Sequence, residues 1–125
     1  MRYLTLFIAG GLGTLCRYLL SLSVTERTDP HFPWGTLAVN LIGCTAIGLL
    51  LGFDRLDRFR WFDLRLLAVT GFLGGFTTFS AFSAEALLLF EARRHLLALT
   101  YIALSVVGGL ALCALGYWSA RVVVR

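Results

Sequence analysis

The sequence has no lysine; all eleven basic residues are arginines. It holds two prolines, two histidines and three cysteines in 125 residues, and only 14% of its side chains are charged. Soluble domains carry about 25% charged and about 45–50% apolar residues, whereas apolar residues reach 58% here. A chain this short exposes too much surface to hide that share of apolar side chain from water. The same surplus excludes disorder, whose signature is low hydrophobicity. Cys16, Cys44 and Cys113 lie far apart without metal-ligand spacing, and read as small buried apolar residues. His31 and His95 stand near the ends of apolar runs, and no Ser/His/Asp set, phosphate loop or carboxylate pair accompanies them. Enzyme chemistry has no footing in this composition. The net charge of +4 does not mark a nucleic-acid protein either, because the arginines flank apolar runs and form no single patch.

What the sequence has in abundance is apolar stretches near the length of about 20 residues that crosses a bilayer as a helix. Four spans are expected, at about residues 3–22, 34–53, 66–90 and 96–120, within one domain covering 1–125. Helices are the choice because lipid admits only helices or closed barrels, and barrel strands alternate over about ten residues. The expected class is an all-α, multi-pass membrane protein. Short polar links join the spans. Glu26 to Pro30 suits a turn into the second helix, Asp54 to Arg65 offers Asp54/Arg58 and Asp57/Arg60 pairs at helical spacing, and Glu91 to Arg94 makes a tight turn. Trp34, Trp61 and Trp118 fall near span ends, where indoles favour headgroups. The first span starts with Met1-Arg2 like a secretory signal, but no small-residue cleavage site follows, so it is expected to stay. Arg2, Arg55, Arg58, Arg60, Arg65, Arg121 and Arg125 share the side of the termini, against Arg27, Arg93 and Arg94 opposite. That bias places both termini in the cytoplasm.

The glycines supply packing. Gly10, Gly11 and Gly13 are expected on one side of the first helix, while Gly48/Gly52 and Gly71/Gly75 form GxxxG pairs that let backbones approach closely. Arg17 either snorkels to the interface or faces an aqueous vestibule where it attracts an anion. Glu85 is the one acid inside a span, and it reads either as a proton or cation site or as a paired or solvated group. Asn40 must face protein or water. Gly71 to Ser83 sets paired glycines and two threonines, all poor helix formers, in mid-span. A break there frees backbone carbonyls, which the bilayer tolerates only around a cavity or an ion. Beyond it, Phe79 and Phe82 share a helix face with Ser80 and Ser83 close by. Ring edges and hydroxyls suit a small anion, though spacing alone favours a packing stripe.

The motifs Gly10-Gly11-Leu12-Gly13…Arg17-Tyr18, Gly35-Thr36-Leu37-Ala38-Val39-Asn40-Leu41-Ile42-Gly43 and Gly74-Gly75-Phe76-Thr77-Thr78-Phe79-Ser80-Ala81-Phe82-Ser83-Ala84-Glu85 occur in this order. Together they closely resemble the CrcB/Fluc fluoride channel family over nearly the whole chain. The resemblance implies an antiparallel, dual-topology homodimer with two fluoride pores, passive fluoride export and fluoride resistance, and a central sodium ion held by the carbonyls of Gly74 and Thr77. It implies pore roles for Asn40, Phe79, Ser80 and Phe82, with Tyr101 and Ser105 further along, and places Arg17 and Glu85 as vestibule or network residues. Ala81 departs from the threonine frequent in the family, so one hydroxyl is missing from the polar track. Fluoride is small and strongly hydrated, so a selective pore has to replace its water with close donors. An antiparallel dimer is the unfused counterpart of an inverted repeat, although the arginine asymmetry runs against equal insertion both ways. Two other functions are weighed. A small multidrug-resistance-type proton-coupled transporter would need an acid in the first span, which has Arg17 instead. A non-transporting membrane assembly subunit leaves Asn40 and the glycine-threonine stretch without a purpose.

Overall fold

A computed structural model describes residues 2–53 and 65–123. The expected Asp54/Arg58 and Asp57/Arg60 pairs, Trp61, Arg55 and Arg125 lie outside the described residues. Among the described residues the chain is all helix and turn. Helix α1 covers Arg2–Thr25 and α2 covers Trp34–Gly52. The third span, Leu66–Glu91, is made of α3 (66–76) and α4 (Phe79–Glu91), separated by Thr77 and Thr78. Helix α5 covers His95–Val123. All four spans are long and apolar enough to cross a membrane. Helix α1 runs past Leu22 to Thr25, because no glycine or proline intervenes before Pro30. Two stretches, Leu66–Leu73 in α3 and Leu104–Gly108 in α5, widen into π-helical turns, which composition does not announce.

Glycine decides which helices touch. Helix α1 lies against α3: a methyl group on Gly13 would strike the Phe72 carbonyl, and one on Gly75 would strike the carbonyl of Gly10. Helix α2 lies in the same way against the second half of α5, where Gly48 meets the Cys113 carbonyl and Gly52 meets Ala120. These close approaches are what GxxxG spacing permits. Gly11 is a correction: nothing lies within 4 Å of where its Cβ would be. One residue of helix rotates by about 100°, so it leaves the face shared by Gly10 and Gly13. The first half of α5 packs on α4 and the entry to α2 through Phe32, Leu37, Ala86, Leu89, Ala98 and Tyr101. Elsewhere the outer faces are apolar and open, as at Phe7, Leu96 and Leu110, which suits acyl chains and not water.

Candidate functional site

The chain leaves the helical region at Thr77 (φ −84°, ψ 157°) and Thr78 (φ −148°, ψ 117°). Gly74 remains helical (φ −62°, ψ −36°). The expected break is therefore narrower than the glycine-threonine stretch. The glycines serve α3 by letting it approach α1, and the two β-branched residues take the extended backbone they favour.

Asn40 of α2 holds the break with both ends of its carboxamide. Its Nδ2 donates to the Thr78 carbonyl at 3.0 Å, and its Oδ1 accepts the Thr78 amide at 2.9 Å. The Thr78 hydroxyl oxygen accepts the Ala81 amide at 3.1 Å and so caps α4. In an unbroken helix the Thr78 amide would bond the Gly74 carbonyl, and the Ala81 amide the Thr77 carbonyl. Both donors are diverted. The carbonyls of Gly74 and Thr77, which the resemblance assigns to sodium, are the ones whose usual helical donors are drawn away, and backbone oxygens of this kind would suit a hard monovalent cation. The Thr14 hydroxyl reaches across from α1 to the Gly75 carbonyl at 3.4 Å.

Beside the break lies a groove of ≈ 450 Å³ bordered by Asn40, Gly74, Thr77, Phe79, Phe82 and Ser105. None of its described lining residues is acidic or basic. A carboxamide has two N–H donors, so Asn40 keeps one after bonding Thr78. Ser105 sits in the widened turn of α5, with its buried Oγ lacking any partner among the described residues. Such turns recur at functional sites because they redirect one side chain out of helical register. The Phe79 and Phe82 rings stand 5.5 Å apart, tilted by 44°. Phe79 is 79% exposed on the single chain. Neutral donors and ring edges around an uncharged groove can bind a small anion without trapping it by a full counter-charge.

Two expected pore residues stand apart from the groove. Ser80 does not border it, and its hydroxyl lies 3.1 Å from that of Thr78. Tyr101 is wholly buried behind Phe82, with ring centroids 5.3 Å apart, and its hydroxyl donates to Glu85 Oε2 at 2.6 Å. The other oxygen of Glu85 accepts the Thr36 hydroxyl at 2.6 Å. Glu85 is thus a paired network residue, while Arg17 is half-buried on α1 with no hydrogen bond or ion pair among the described residues. Thr36 and Thr78 escaped sequence reasoning as site residues. A threonine opening a helix is a recognisable cap signal for Thr78, but no local pattern links Thr36 to a carboxylate 49 positions away.

Comparison with known proteins identifies the family. The family model described as CrcB-like protein, camphor resistance, matches residues 4–117. A fluoride-specific ion channel FluC from Phocaeicola vulgatus is 42% identical over 115 residues, covering 92% of this chain and 94% of that relative. The protein of the same name from Rhizobium etli is 45% identical over 107 residues, covering 86% and 84%. That from Bacteroides fragilis is 43% identical over 117 residues, covering 90% and 91%.

Proposed function

The chain belongs to the CrcB-like family, and from that premise we propose that it is a fluoride-selective channel through which fluoride leaves the cytoplasm passively, down its electrochemical gradient, giving fluoride resistance. The observation that carries this reading is the uncharged groove at the α3–α4 break, on a chain whose relatives are fluoride-specific channels. The free N–H of Asn40 and the unpartnered hydroxyl of Ser105 replace water around the ion, and the edges of Phe79 and Phe82 carry it between them. Fluoride accepts short hydrogen bonds better than the larger halides, so donors set for it give selectivity without a fixed charge. Ser80 and Tyr101 act behind this first layer: one pairs with the hydroxyl that caps α4, the other joins Phe82 to Glu85. Arg17 serves a vestibule.

The working unit in this reading is an antiparallel homodimer with one chain inserted each way. Its support is the exposure of Phe79 and Gly74 at the break, a surface that a second copy would cover. A sodium ion at the dimer centre would rest on the Gly74 and Thr77 carbonyls of both protomers, where its charge joins the two breaks. The test is anion release from liposomes loaded with fluoride or chloride. Fast fluoride efflux with little chloride leak is expected, with Phe79→Ile and Phe82→Ile each lowering fluoride flux in an intact dimer. Equal leakage of both anions, or full flux in both variants, would overturn the reading.

A further inference from the structure

Glu85 borders a second space. A crevice of ≈ 490 Å³ opens where the α1–α2 link meets the α4–α5 turn, and its walls include Thr25, His31, Pro33, Glu85, Leu88 and Arg94. Phe82 borders the groove, Tyr101 packs on Phe82, and Tyr101 bonds Glu85. A chain of contacts through Phe82, Tyr101 and Glu85 therefore links the uncharged groove to this crevice.

The crevice differs in chemistry from the groove. Both carboxylate oxygens of Glu85 are taken by hydroxyl donors, those of Thr36 and Tyr101, and no basic side chain pairs with it among the described residues. A carboxylate in the lining repels an anion on its way through. Arg94 and His31 are the basic side chains that line the same space, and both are exposed. The local fold puts Arg94 there. Arg93 adopts a left-handed backbone (φ 57°), and the Arg93 and Arg94 amides return to the Phe90 and Leu89 carbonyls at 3.0 and 2.9 Å. This closes α4 in the manner of a Schellman turn and makes Arg94 the first residue before α5. Arg93, its neighbour, does not border the crevice.

We infer that Arg94, sharing this crevice with His31 and Glu85, gathers fluoride at the outer end of the conduction path and offsets the Glu85 carboxylate, setting entry rate and not selectivity. The inference rests on the channel reading above. A charge in a cleft with low-dielectric walls focuses its field and raises the local concentration of the opposite ion, and salt screens the effect once the Debye length falls from about 30 Å at 0.01 M to about 3 Å at 1 M.

The experiment measures initial fluoride efflux from phosphatidylcholine liposomes at both ionic strengths, set with a large impermeant anion. Arg94→Gln should slow efflux about threefold or more at low ionic strength, with the deficit vanishing at high ionic strength. Arg94→Lys should restore the rate. Arg93→Asn, which keeps a residue tolerant of the left-handed turn and removes a nearby charge outside the crevice, should stay close to the parent. The fluoride-over-chloride ratio should be the same in all four proteins. Parental efflux from Arg94→Gln at low ionic strength, or a deficit that salt leaves untouched, overturns the mouth while the channel stands. A parent protein that leaks chloride as fast as fluoride overturns the channel itself, so the two failures are distinguishable.

Discussion

At the scale of single residues, the site rests on Asn40. Its carboxamide satisfies the amide and the carbonyl of Thr78, a residue buried to 9% exposure where no water replaces a lost partner. Asn40→Ala should cost about 1–3 kcal/mol for each backbone group left unpaired, read as a lowered melting temperature in detergent. Asn40→Asp keeps the acceptor for the Thr78 amide but removes the donors and adds a negative charge to an uncharged groove. Its fluoride efflux should fall by about tenfold or more, the factor that 1.4 kcal/mol of added barrier produces. Full efflux in Asn40→Asp would remove the carboxamide N–H from the path. Arg93 gives an independent check on the turn. An L-residue in the left-handed region carries strain that glycine lacks, so Arg93→Gly should raise stability by about 0.5–1 kcal/mol and leave flux alone.

At the scale of helices, neighbouring glycines in the Gly74-Gly75 pair have separate tasks. Gly75 faces α1 so closely that a methyl group would overlap the Gly10 carbonyl, while a methyl on Gly74 has the Val69 carbonyl at 3.6 Å as its nearest neighbour within the chain. Gly75→Ala should therefore lose folded protein, measured as yield of monodisperse material. Gly74→Ala should fold. A bulky Gly74→Trp should fold as a chain yet fail to pair, because Gly74 is exposed beside the break where a second copy is expected. Equal yields from Gly75→Ala and Gly74→Ala would mean that α1 and α3 do not meet as described. Gly11→Leu, facing open space, should be indistinguishable from the parent in yield.

At the scale of the whole molecule, the proposed assembly has a direct measurement. A chain of 13.8 kDa should give twice that mass once bound detergent is subtracted. A cysteine placed at Ala92, in the α4–α5 turn, should label in part from each side of sealed vesicles if chains insert both ways. Labelling from one side alone would sink the dual topology, and the arginine excess beside the termini would then account for a single orientation.

Much of this architecture is legible in the sequence. Apolar runs of bilayer length, charges confined to their ends and a shortage of proline determine four helices in lipid, because hydrocarbon leaves the backbone no partner but itself. Gly48/Gly52 and Gly71/Gly75 announced close helix contacts in the same way, since spacing of four residues sets both on one face. Tertiary structure alone decided that Thr77 and Thr78 carry the break, that Gly11 faces outward, that Ser105 lies in a widened turn and that Thr36 and Tyr101 divide the two oxygens of Glu85. The physical reason is range. Helix formation and lipid partitioning are local sums over neighbouring side chains, whereas the break exists because an amide at Thr78 finds a better acceptor in Asn40, 38 positions earlier in the chain, than in its own helix.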